Sequence, residues 1–138
     1  PRIGRRVPEW QRKLRKEISE LLAEVYTALQ ADSPRIAMMG ARALIDMVMH
    51  DQVGDAGSFP QKLALLEKNG FLSAKNREVL EAALDVGSAA AHRGHVAKPD
   101  HVDVVMDIVE NLLQTTLLHQ VAADLRRATP KRERTRKS

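Results

Sequence analysis

Apolar residues along this chain recur at steps of three and four, the spacing that aligns side chains on one face of a helix. Between Glu9 and Ala31 they fall at Trp10, Leu14, Ile18, Leu21, Leu22, Val25 and Leu29, which predicts a first long helix. Ser33 then offers a capping hydroxyl, and Pro34 stands at a first helical position, where a missing N–H costs nothing. A second helix is expected from there to about His50. Its body, Ile36–His50, is apolar on nearly every side, as in a helix enclosed by others. Asp51–Ser58, with two glycines and two aspartates, reads as a loop.

A short third helix is expected after Phe59-Pro60, ending at Asn69-Gly70, where glycine takes the left-handed closing conformation and Phe71 folds back on Leu66. Ser73 caps a fourth helix, with Leu80, Ala83, Leu84, Gly87 and the alanines up to Ala91 facing inward and an end near His92. Asp100 is the expected cap of a last long helix, with Val105, Ile108, Val109, Leu112, Leu113, Thr116, Leu117 and Val121 on one stripe and an end near Arg127. No segment alternates as a strand does and no fixed-period repeat appears. The expected class is all-α, with about five helices.

Composition narrows what such a bundle can do. At 138 residues and 43% apolar, one domain with a substantial core is expected. The chain has no Cys, which removes disulfide scaffolds, thiolate zinc sites and cysteine nucleophiles together. No apolar run approaches the roughly 20 residues of a membrane span, and no export signal is visible, so the expected location is the cytoplasm, away from membranes.

The formal net charge of +4 is unevenly placed. Residues 1–16 hold seven basic side chains against Glu9, and residues 131–138 hold five against Glu133, so the chain between them is net acidic. The organisation expected is a basic segment over residues 1–8, a helical domain over 9–128 and a basic, disordered tail over 129–138, where nothing apolar offsets the entropy of ordering. Nucleic acid, if bound, is expected at these ends, through Arg12, Lys13, Lys131, Arg132 and Arg134.

Within the body, Arg42 and Asp46 lie four residues apart on the enclosed second helix. A buried guanidinium cannot lose its charge and must find an acceptor, for which Asp46 and Glu24 are the candidates. The pair reads as bracing that fixes helix register or, alternatively, as a ligand contact. A second constellation is Gly87–His95. Its small residues let a neighbouring helix or a second subunit approach closely, and His92 falls at a helix end, where the dipole favours a cation. His92 reads either as a packed, carbonyl-capping residue or as a general acid or base, with Arg93 stabilising a phosphate.

A metal set from His92, His95 and His101 with Asp100 or Asp103 has no recognisable ligand spacing. No metal or cofactor is expected. Leu63–Val79 has the outline of a helix-turn-helix, yet its second helix presents Glu78, Glu81 and Asp85, which a phosphate backbone would repel. Neither a phosphate-cradling glycine loop nor a hydrolase elbow occurs.

Four stretches together resemble a bacterial domain-of-unknown-function family, number 4145, often fused to or encoded beside restriction and other defence proteins. They are Glu24–Leu29, Met39–Asp46, Asn69–Ser73 and Val86–Gly94, and the resemblance spans about residues 17–127. That family is similar to the wider HEPN group of helical domains. The resemblance implies a HEPN-like bundle, a homodimer, and in many members a metal-independent ribonuclease. Those enzymes carry an arginine a few residues before the catalytic histidine. Here the histidine corresponds to His92, and the places for the arginine hold Asp85, Val86 and Gly87. The function expected is therefore a non-catalytic homodimeric interaction module, accessory to a partner protein in bacterial defence or nucleic-acid processing. The alternative is a metal-independent endoribonuclease or RNA-binding domain using His92, with Arg93 or Arg42 on phosphate.

Overall fold

A computed structural model describes residues 5–55 and 57–132. It is all-α: among the described residues a 3-10 turn, Glu9–Lys13, precedes helices α1 (Lys16–Gln30), α2 (Pro34–Val53), α3 (Phe59–Lys68), α4 (Ala74–Arg93) and α5 (Pro99–Ala128).

The expected first helix, Glu9–Ala31, is broken. Leu14 (φ −75, ψ 152) and Arg15 (φ −59, ψ 153) are extended between the 3-10 turn and α1. A continuous helix would place Arg12, Lys13, Arg15 and Lys16 as like-charged neighbours three and four residues apart. The break instead lets Arg15 reach Asp51 at the far end of α2, with Nε donating to Oδ2 at 2.6 Å. Gln11 Nε2 bridges the bend to the Ser19 carbonyl at 2.8 Å. Apolar spacing is unchanged across these two residues, so periodicity could not register them.

Two expected caps are also corrected. The Ser33 hydroxyl makes no capping hydrogen bond, and Pro34 alone sets the start of α2, which runs three residues past His50 to Val53. The start of α5 is two residues earlier than expected: Pro99, with its fixed φ, takes the first position after Lys98. Asp100 therefore sits inside the first turn, where its charge still faces the positive end of the helix. Elsewhere the turn chemistry is as expected. Gly70 has φ +84 and the Phe71 N–H donates to the Leu66 carbonyl at 3.0 Å, while Ser73 accepts from the Asn76 N–H at 3.1 Å.

α2 is the hub, touching α1, α3, α4 and α5. It buries Ala37, Met38, Ala41, Leu44, Ile45, Val48 and Met49. Two glycines let its neighbours approach. A Cβ on Gly40 would stand 2.6 Å from Val25 Cγ2 of α1. One on Gly87 would stand 2.6 Å from Arg42 Cβ and 2.9 Å from the Met38 carbonyl oxygen. The close approach expected at Gly87 is thus made by a helix of the same chain. In the stretch that follows, Ala90 is buried while Ala91 is exposed. Val121, expected on the inner stripe of α5, is 45% exposed, as every residue from Leu118 to the end of the helix is exposed among the described residues.

Candidate functional site

Arg42 departs most clearly from expectation. It and Asp46 were expected inside the bundle, yet their side chains are 35% and 49% exposed, and no polar or charged residue among those described is buried. Because Gly87 has no side chain, the Arg42 stem lies across α4 and carries its head toward solvent. There Nε stands 3.7 Å from Asp46 Oδ2, and Nη1 donates to the Leu84 carbonyl at 3.2 Å. Here α2 meets α4 through a side chain that crosses a glycine and bonds a backbone oxygen, with Asp46 the longer contact. Glu24 is exposed on α1 and forms no ion pair with Arg42.

His92 and Arg93 form the exposed last turn of α4. The helix closes at Gly94 (φ +62), and the His95 N–H donates to the Ala89 carbonyl at 3.1 Å, so backbone alone caps it. Among the described residues neither side chain has a hydrogen bond or ion pair, and the expected carbonyl-capping role of His92 is not seen. Asp85 lies seven residues earlier, about 10 Å along the helix. His92, His95, His101, Asp100 and Asp103 do not gather, and no cluster of three potential metal ligands occurs among the described residues.

The basic ends separate into two roles. Arg5, read only as part of a basic segment, is fixed on α5. Nη2 bonds Asp107 at 2.7 Å and lies 3.7 Å from Asp103, and Nη1 bonds Glu110. Burial works against its charge, but hydrogen bonds and charge from Asp107 and Glu110 outweigh this and raise its pKa. Beneath the cluster, the buried Tyr26 hydroxyl has no hydrogen-bond partner. Desolvation pushes its pKa up and the nearby Glu110 charge adds to this, partly offset by Arg5. A sequence signal for this cluster existed: Asp103, Asp107 and Glu110 share one helix face opposite an arginine-rich segment.

Arg12 and Lys13 are exposed in the last turn of the 3-10 segment. Lys13 borders two hollows of about 260 and 280 Å³ with Thr116, Gln120, Leu118 and Val121 of α5. That helix carries Arg126 and Arg127 in its last turn, and Lys131 and Arg132 follow beyond its end at Ala128. Arg127 is paired with Asp124. Arg134 lies outside the described residues. Between α4 and α5 run two further hollows of about 180 and 190 Å³ that share Val79 and Ile108.

A family model described as Domain of unknown function (DUF4145) matches residues 23–137. The chain belongs to this family. No curated protein and no solved structure matched it. The DUF4145 match begins inside α1, so Tyr26, Arg42, His92 and the acids of α5 fall within it, whereas Arg5, Arg12 and Lys13 precede it. No helix among the described residues of this DUF4145 chain is long and apolar enough to cross a membrane.

Proposed function

We propose that this DUF4145 domain is a non-catalytic, homodimeric interaction module with a HEPN-like arrangement of helices, a cytoplasmic accessory to a bacterial defence or nucleic-acid-processing protein. The observation that carries the reading is the isolation of His92. Metal-free RNA cleavage needs a base for the 2′-hydroxyl, an acid for the leaving oxygen and charge stabilisation at phosphate. His92 and Arg93 stand exposed at a helix end, and among the described residues neither side chain has a hydrogen bond or ion pair. Incubating wild type and His92→Ala with structured and unstructured RNAs in EDTA tests the reading. No cleavage by either is expected, and cleavage that disappears in the variant overturns it. Light scattering tests the dimer, with twice the 15.4 kDa chain mass expected. A strict monomer at high micromolar concentration overturns that part.

One observation favours the alternative of RNA binding. Lys13 stands beside Thr116 and Gln120 of α5, a helix whose last turn is basic, and cations so grouped suit a phosphate backbone. Deleting Lys131–Ser138 then lowers RNA affinity and flattens its salt dependence. An unchanged slope removes the tail from the interface.

A further inference from the structure

We propose that two copies of this chain pair antiparallel along the outer face of α5. This rests on the homodimeric reading above and assigns it a surface. α5 carries two apolar faces. Val102, Val105, Met106, Val109, Leu112 and Leu113 are buried against the bundle. On the other side Val104, Ile108, Asn111, Thr115, Leu118 and Leu125 follow steps of four and three, with Ala122 completing the series. That is the seam of a helix that packs against another helix, continued over about 31 Å. Val104, Leu118 and Leu125 are 52%, 66% and 60% exposed, which a monomer leaves facing water.

The face has two different halves. Its N-terminal half forms the floor of a groove, walled on one side by Val79 of α4 and approached on the other by Arg5, while Trp10 flanks the helix further along, from Asn111 to Val121. Its C-terminal half is a ridge, exposed at every residue from Leu118 to the end of the helix. A two-fold axis between Gln114 and Thr115 lays the ridge of each copy into the groove of the other, so every contact is made twice. Val104 then meets the partner subunit's Leu125, and Ile108 meets the partner subunit's Ala122. Asn111 and Thr115 supply the polar layers near the axis that fix register.

Charge selects both the orientation and the occupant. The groove end of α5 carries Asp100, Asp103, Asp107 and Glu110, with Arg5 the basic residue bonded there. The ridge end carries Arg126, Arg127, Lys131 and Arg132 against Asp124. Antiparallel pairing puts acid over base at both ends, while parallel pairing stacks like on like. The register that matches Val104 to the partner subunit's Leu125 also sets Asp103 opposite the partner subunit's Arg126. Groove, ridge and both charge complements belong to one chain, so a second copy completes the surface.

The absence of Cys from the sequence makes the test direct. Under mild oxidation Thr115→Cys is expected to give a disulfide-linked dimer on a non-reducing gel. Val104→Cys gives none alone, but cross-links when mixed with Leu125→Cys. Leu118→Glu combined with Leu125→Glu is expected to be monomeric by light scattering with unchanged helical circular dichroism, since both sites are exposed. Asp103→Arg and Arg126→Glu each weaken association about tenfold, and the chain carrying both recovers it. Self-cross-linking of Val104→Cys means parallel pairing and overturns the proposal. A dimer that survives the glutamates and fails to cross-link at Thr115→Cys overturns this surface and leaves the homodimeric module standing. A monomeric wild type overturns both.

Discussion

α2 and α5 both read as apolar helices, and they use that character in opposite ways. α2 touches every other α-helix and buries seven residues from Ala37 to Met49. α5 covers one face along its first half, then leaves the bundle with Leu118, Val121 and Leu125 uncovered. α2 spends its apolar residues on four neighbours and leaves Ile36 and Met39 exposed only near its start. A helix with two separate stripes needs only one of them for its own core, and the other is available to a partner. The difference lies in which stripe meets a neighbour, and sequence period alone reports only that the stripes exist.

This contrast is sharpest in a pair of truncations. Leu44→Ala empties a fully buried site on α2 and is expected to cost about 3 kcal/mol of unfolding free energy in urea titrations. Leu118→Ala, on the uncovered stripe, should change monomer stability by less than about 0.5 kcal/mol. Equal losses would break the distinction between the two helices.

Gly87→Ala comes next, at about 1–3 kcal/mol, because its methyl meets the Met38 backbone as well as Arg42, and the better helix propensity of alanine recovers only part. A neutral Gly87→Ala would mean that the α2–α4 crossing is looser than drawn. Arg5→Ala should cost about 1–2 kcal/mol, between the values for exposed and buried ion pairs, since its side chain is 19% exposed and Glu110 loses its partner. A change near zero would show that the N-terminal segment does not hold α5.

The smallest expected effect is pH dependent. Tyr26→Phe removes a buried hydroxyl that lies beside Glu110 without a well-formed hydrogen bond among the described residues, so neutral-pH stability should stay within about 1 kcal/mol of wild type. The folded pKa of Tyr26 is raised by burial, so the unfolded chain loses this proton first. Its contribution is intact below the unfolded value of about 10 and is lost as pH rises toward the folded value. Wild type should therefore weaken more steeply than Tyr26→Phe between pH 9 and 11 in denaturant titrations, and parallel curves would place the hydroxyl in contact with water.

Much of the fold was legible in particular residues. Ser73, Gly70 and Gly94 mark turns through local backbone chemistry, which a sequence displays directly. The break at Leu14–Arg15 was not legible, because it depends on Asp51 drawing Arg15 across the bundle while the apolar spacing continues unbroken. The role of Gly87 was half visible: small residues announce a close approach without naming the neighbour. At the candidate site, Arg42 and His92 were both singled out by type and spacing. Only the packing shows that Arg42 escapes the interior over Gly87, and that His92 forms no hydrogen bond or ion pair among the described residues.

By itself, the sequence determined an all-α bundle, five α-helices, most of their ends, an acidic body and basic termini, because periodicity, capping and charge counts are local properties. Its tertiary structure decided which stripe of α5 is covered and that Arg5 is engaged by the carboxylates of α5. Those outcomes depend on contacts between residues as far apart as Arg5 and Glu110. Helix spacing constrains such pairs only after the helices have packed.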